Sequence, residues 1–339
     1  MGLFAAHALP VFRFIFLIIG VGALAGILWH VGLTPLIHTF HQFGLLALLL
    51  IFVPMVGVYL LEAYGWQLTL GNHVEKVGFW RLFAIRMVGE VINVTTPTGY
   101  MGGEPMKAYL LRRYDVRMVD GMASVVTAKT IMTLAQIMFI VLGLGLMFGI
   151  LGMTDQNLFA ALIGVGTLLF GLGLFMMVQR YGLAVGLLTC FRRLKLSISY
   201  LEKRESQLIE LDHTIRQFYA ERRTTFLFAL SVYFLGWLME SLEVYAILYF
   251  LGVDVDVLSS VSIAALAVLI KGGTFFIPGS LGAQEGGYLL MLLGFGYDEV
   301  TGVAFALVRR MREVIWIMIG LVFLAIFKGQ NSSDVSPLA

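Results

Sequence analysis

Two stretches decide the fold: GEVINVTTPTGYMGGEPMKAYLLRR at residues 89–113 and KGGTFFIPGSLGAQEGGYLL at residues 271–290. Each interrupts an apolar segment with proline, glycine and polar residues. The first segment covers 79–109 and breaks at Thr95-Thr96-Pro97-Thr98-Gly99; the second covers 257–293 and breaks at Pro278-Gly279-Ser280. Proline has no N–H to give a helix, and glycine weakens one. Each segment therefore reads as a half-helix, a turn and a second half-helix. Such irregular backbone is tolerated at membrane depth only where protein buries it or water reaches it, so both segments are expected to be re-entrant hairpins.

The two breaks are copies of one pattern. Pro97 precedes Glu104 by seven residues, Pro278 precedes Glu285 by seven, and the copies lie 181 residues apart. At the same offset Glu90 corresponds to Lys271 and Lys129 to Arg310. A repeat at 43–150, with its hairpin at 79–109, is thus expected to recur at 225–328, with its hairpin at 257–293.

Composition places the pattern in a membrane. Of 339 residues, 59% are hydrophobic and 13% charged, and mean hydropathy is +0.90. A soluble domain carries about 25% charged residues. Apolar runs of about 20 residues span a bilayer. Six are expected as spans, at 11–33, 43–66, 119–149, 158–178, 225–252 and 299–327. The expected architecture is an all-α polytopic bundle of six spans, two opposed hairpins and an inverted repeat.

Lysine and arginine set the orientation. Of 23, seven fall between Lys76 and Arg117, nine between Arg180 and Arg223, and Arg13 and Lys328 flank the ends. The loops expected on the opposite side hold none. Both termini are therefore expected in the cytoplasm, of a bacterial inner membrane. The stretch 180–223 carries Leu201, Leu208, Leu211, Ile215 and Phe218 at helical spacing between charges. It reads as an amphipathic connector lying on the membrane or on the cytoplasmic ends of the bundle.

Several chemistries are excluded. A net charge of +2 gives nucleic acid little to bind, and one cysteine, Cys190, excludes an intrachain disulfide or a cysteine metal cluster. The six histidines form no metal-ligand spacing, and no Walker loop, nucleophile elbow or dinucleotide fingerprint occurs. No cofactor and no enzymatic activity are expected.

Ionisable groups at membrane depth cost several kcal/mol unless paired or wetted. The candidate head-group path is Glu90, Asn93, Pro97, Gly99, Gly102, Gly103, Glu104 and Lys129 in the first copy. In the second it is Lys271, Pro278, Gly279, Gly282, Gln284, Glu285, Arg309 and Arg310. Two readings compete. The charges fix packing as buried pairs, with Glu240 and Glu243 facing the arginines of the last span and Glu90 meeting Lys271. Alternatively, the helix starts after each break present free N–H groups and a positive dipole end to an anion, with Lys129, Lys271 and Arg310 as counter-charges. Glu104 and Glu285 sit near those helix starts and would then cap them or hold the cations.

The two quoted stretches resemble the signature segments of the lysylphosphatidylglycerol synthase transmembrane-region family, also called flippase-like domains. Gln284-Glu285-Gly286-Gly287 and Arg309-Arg310-Met311-Arg312-Glu313 are most similar to its hopanoid-associated branch. The resemblance covers essentially the whole chain and implies lipid movement or lipid-linked metabolism. Lys129 stands where relatives often carry arginine, which keeps the charge but loses the planar fork for phosphate. Members fused to a soluble aminoacyl-transferase domain make lysyl-lipids; with 12 residues after the expected last span, that activity is not expected here. The expected function is a flippase for an amphiphile with an anionic or glycosylated head group. Its partners are expected to be membrane lipids, with a homodimer and lipid-biosynthesis enzymes also possible. An accessory scaffold in envelope biogenesis and an enzyme of lipid-linked glycosylation or aminoacylation are the alternatives.

Overall fold

The structure is a computed structural model that describes residues 45–95, 102–151, 205–274 and 277–333, with isolated positions within 25–37 and 163–188. Among the described residues, every regular element is helical: α1 (Leu45–Thr69), α2 (Phe79–Thr95), α3 (Gly103–Leu111), α4 (Met118–Leu151), α5 (Glu205–Glu221), α6 (Arg223–Phe250), α7 (Val257–Gly273), α8 (Ala283–Gly294) and α9 (Glu299–Ser333). The protein is an all-α membrane helix bundle. By length and composition, Leu49–Thr69, Met118–Ile150 and Arg223–Phe250 can cross a bilayer. α9 has 35 residues but carries Arg309, Arg310, Arg312 and Glu313 near its centre, which lowers its apolar signal. The expected span at 11–33 falls almost wholly outside the described residues, and of 158–178 only scattered positions are described, each of them helical.

The sequence offset of 181 recurs in the elements. Adding it to Met118, where α4 starts, gives Glu299, where α9 starts; α1, α2 and α3 shift likewise onto α6, α7 and α8 within a few residues. Packing follows the same correspondence. α2 packs on α3 as α7 packs on α8, and α3 on α4 as α8 on α9. The copies then cross: α2 lies against α9, α7 lies against α4, and the mates α1 and α6 share the most extensive contact.

Two surfaces account for that arrangement. Outward positions are large and apolar, including Leu49, Val53, Leu227, Leu242, Leu290, Met318 and Val322, as a lipid-facing belt requires. Several inward positions are small: Ala264, Ala265 and Ala267 on α7 and Ala304 and Ala306 on α9 are buried. Small residues let helices approach closely where lipid offers no hydrophobic drive between them. Helix starts are fixed by capping carboxylates. Asp256 Oδ1 accepts the Ser259 N–H at 2.9 Å before α7, and Asp298 Oδ1 accepts the Thr301 N–H at 2.8 Å before α9.

α5 places Ile215 and Phe218 in the protein interior and packs on α4. The described part of the connector thus docks on the bundle. Arg117, at the start of α4, fastens it through Glu210 at 2.6 Å and Asp120 at 2.8 Å. Those two carboxylates raise the Arg117 pKa further above its ordinary value.

Candidate functional site

A cavity of about 320 Å³ lies between α1, α2, α3, α4, α6 and α7. Met55, Val58, Trp66, Met132, Trp237 and Val268 give it apolar walls. Glu62, Glu90, Glu104, Glu240, Arg86, Lys107, Lys129, Lys271 and Arg312 bring charge to the same space. A side chamber of about 40 Å³ shares Tyr59, Glu90 and Lys271 with it and reaches Gly279, Glu313 and Trp316.

The first copy supplies the cavity floor. Asn93, near the end of α2, holds the start of α3: its Oδ1 accepts the Gly103 N–H at 2.7 Å, and its Nδ2 donates to Glu104 Oε1 at 3.3 Å. Glycine is required at 103, since a Cβ there would stand 1.9 Å from the Gly89 carbonyl oxygen. Glu104 then takes Lys107 at 3.0 Å and, more loosely, Lys129 at 3.9 Å. Arg86 pairs with Glu62 and lies 4.7 Å from the Tyr59 ring centroid.

The second copy is closed. Gly282 has φ 73°, a left-handed conformation open to glycine at no steric cost. Its N–H donates to Glu285 Oε2 at 2.8 Å, which caps α8. Glu285 Oε1 accepts from Arg310 Nε at 2.7 Å, and Arg310 also donates to the Gly279 carbonyl and to Glu313, both at 2.9 Å. Glu313 further takes Lys271 Nζ at 2.9 Å and Gln284 Nε2 at 3.3 Å. The repeat mates Glu104–Lys129 and Glu285–Arg310 thus form equivalent pairs, one loose and one tight.

A third charge layer joins α6 to α9. Arg309 pairs with Glu240 and lies 3.7 Å from Glu243. Arg312 donates to Glu243 at 2.6 Å. Arg309 is 1% exposed and Glu243 fully buried, and Arg309 sits over the rings of Tyr288 and Phe305 at 5.2 and 5.7 Å. Buried charges of this kind are tolerated only when paired.

The expected residues therefore divide. Glu90, Glu104, Lys129 and Lys271 reach the cavity, Gly103 and Asn93 position its floor, and Gly279 reaches the side chamber. Gly282, Gln284, Glu285, Arg309 and Arg310 lie behind its wall, in ion pairs or at the α8 cap. Gly102 precedes α3 and Pro278 opens the second turn, whereas Pro97 and Gly99 lie outside the described residues. One expectation is corrected. Glu90 and Lys271 line one cavity but form no direct pair, and Glu313 holds the lysine ammonium. At the start of α8, Glu285 caps the Gly282 N–H and holds Arg310, as the capping alternative expects.

Glu62, Arg86 and Lys107 are additional cavity residues that sequence reading passed over. Arg86 and Lys107 were counted with the loop cations, yet both are largely enclosed in the bundle, with side chains 9% and 12% exposed. The available signal was the same one used elsewhere: an ionisable group inside an apolar stretch.

Sequence comparison places the chain among membrane proteins. The family model for the lysylphosphatidylglycerol synthase TM region matches residues 14–321. A UPF0104 membrane protein of Methanothermobacter thermautotrophicus is 29% identical over 300 residues, covering 85% of this chain and 86% of its own.

Proposed function

The chain belongs to the lysylphosphatidylglycerol synthase TM region family, and from that premise we propose that it moves a lipid with a phosphate-bearing head group between leaflets. It is an integral membrane protein, and a lipid-related membrane role follows from the family. The flippase reading is carried by one observation: a charged cavity of about 320 Å³ inside an apolar bundle, lined from both repeats. A head group entering it meets Lys129 and Lys271 while its acyl chains stay against the apolar outer belt. Transporter folds built from repeats commonly bind substrate at the repeat interface, between broken helices. In this reading the protein is not an enzyme. It resides in the inner membrane, both termini are cytoplasmic, and the hairpins enter from opposite sides.

Reconstitution tests the proposal. The purified full chain in liposomes should accelerate dithionite quenching of tail-labelled phospholipid originally in the inner leaflet. Protein-free rates across phosphatidylglycerol, phosphatidylethanolamine and polyprenyl phosphate would contradict transport and leave the scaffold alternative.

A further inference from the structure

The cavity charges pair off almost completely, and the two groups left without a close ionic partner describe the ligand. Glu62 takes Arg86, Glu240 takes Arg309, Arg312 goes to Glu243, and Lys271 goes to Glu313. Glu104 is engaged by Lys107 at 3.0 Å, with Asn93 as a further donor. Two groups stand apart. The Lys129 ammonium has Glu104 as its carboxylate neighbour at 3.9 Å, beyond hydrogen-bond reach, and its side chain is 45% exposed. Glu90 lines both the main cavity and the side chamber and has no ion pair among the described residues. The charges acting on Glu90 are Arg86, Lys107, Lys129 and Lys271, so it sits among cations that are mostly committed elsewhere.

From this bookkeeping we infer that the cavity selects a zwitterionic head group, with a phosphate placed against Lys129 and a primary ammonium against Glu90. A purely anionic head group satisfies Lys129 but offers the Glu90 carboxylate, which has no ion pair among the described residues, no cationic donor. A purely cationic one meets the reverse penalty at Lys129. A phosphate and an ammonium joined by a short linker cancel both residual charges. Glu90 offers oxygens that only accept hydrogen bonds, so an ethanolamine ammonium, with three N–H donors, suits it better than a quaternary choline nitrogen, which has none. The inference takes the cavity to be the head-group site of the transport reading, and its binding test does not require transport.

The test is thermal stabilisation of the full chain in detergent by dihexanoyl phosphatidylethanolamine, phosphatidylcholine and phosphatidylglycerol. The ethanolamine lipid should bind on the order of tenfold more tightly than the glycerol lipid, the size of one charge-assisted hydrogen bond. Glu90→Gln should bring that ratio towards one, Glu90→Asp should retain part of it, and Lys129→Gln should weaken the ethanolamine and glycerol lipids alike. Free phosphoethanolamine separates sources: stabilisation equal to the lipid's would identify a water-soluble amine–phosphate of the same chemistry and count against lipid transport. Equal stabilisation by phosphatidylglycerol, no stabilisation by any ligand, or an unchanged ratio in Glu90→Gln would overturn the inference. A preserved ethanolamine preference in protein that moves no lipid would uphold it while sinking the transport reading.

Discussion

At the scale of single residues, the intramembrane charges have two different jobs. Arg312 and Glu243 are both buried and joined at 2.6 Å. Removing one partner leaves a charge without its water, a loss of about 3–5 kcal/mol. Arg312→Met should therefore lower the melting temperature sharply, and the Arg312→Met/Glu243→Leu double variant should recover part of the loss. A double variant as unstable as the sum of the two single variants would contradict a structural pair. Glu285 and Glu104 correspond by sequence but differ in surroundings. Glu285 is 3% exposed, caps α8 and holds Arg310 at 2.7 Å. Glu104 faces the cavity and shares two lysines. Glu285→Gln should consequently destabilise more than Glu104→Gln, because only Glu285 also caps a helix. Thermal melts of the two variants in one detergent decide this, and equal losses would remove the distinction between a closed and an open copy.

At the scale of elements, the joint between α2 and α3 is the tightest place in the first copy. A methyl group at residue 103 would meet backbone, at 1.9 Å from the Gly89 oxygen, whereas one at residue 89 would meet the Lys107 side chain at 2.3 Å. Lysine can swing away and backbone cannot. Gly103→Ala should thus cost about 1–3 kcal/mol of overpacking strain, with Gly89→Ala milder; the reverse order in thermal melts would contradict the joint. At the start of α7, hydrogen bonds from Ser259 hold the Asp256 pKa below its ordinary value. The folded value is the depressed one, so the cap is fully formed above the unfolded value near 3.9 and is lost as pH falls through the folded value. Asp256→Ala should cost about 1 kcal/mol at pH 7 and progressively less at the acid end of that window. A stability difference constant from pH 7 to pH 2 would contradict the cap. The second helix break was legible because proline and glycine act locally, and its turn starts at Pro278; Pro97 and Gly99 of the first lie outside the described residues. Glu285 as a cap and a holder of Arg310 was legible from its place after the break. The partner of Lys271 was not, because it depends on which face of α9 turns Glu313 inward.

At the scale of the whole molecule, composition and the 181-residue offset made the all-α bundle readable, since a chain with 13% charge has no soluble surface to build. The cavity was less readable because Arg86, Glu62 and Lys107 resemble ordinary loop or span-end charges until α1, α2 and α3 bring them together. Orientation is open to labelling. After Cys190→Ser, a cysteine at Asp254 should react with an impermeant maleimide from outside, and one at Glu205 only after the membrane is opened. The reverse pattern would invert the assignment of sides. The claim that lipid passes through the cavity is tested most directly by filling it. Met132 lines the cavity and is partly exposed to it, so Met132→Trp should occupy that space. In liposomes containing equal amounts of folded protein, with melting temperature and gel-filtration profile matched, Met132→Trp should reduce lipid movement to the protein-free rate while wild type accelerates it. Wild-type movement in a folded Met132→Trp protein would place the lipid path outside the cavity.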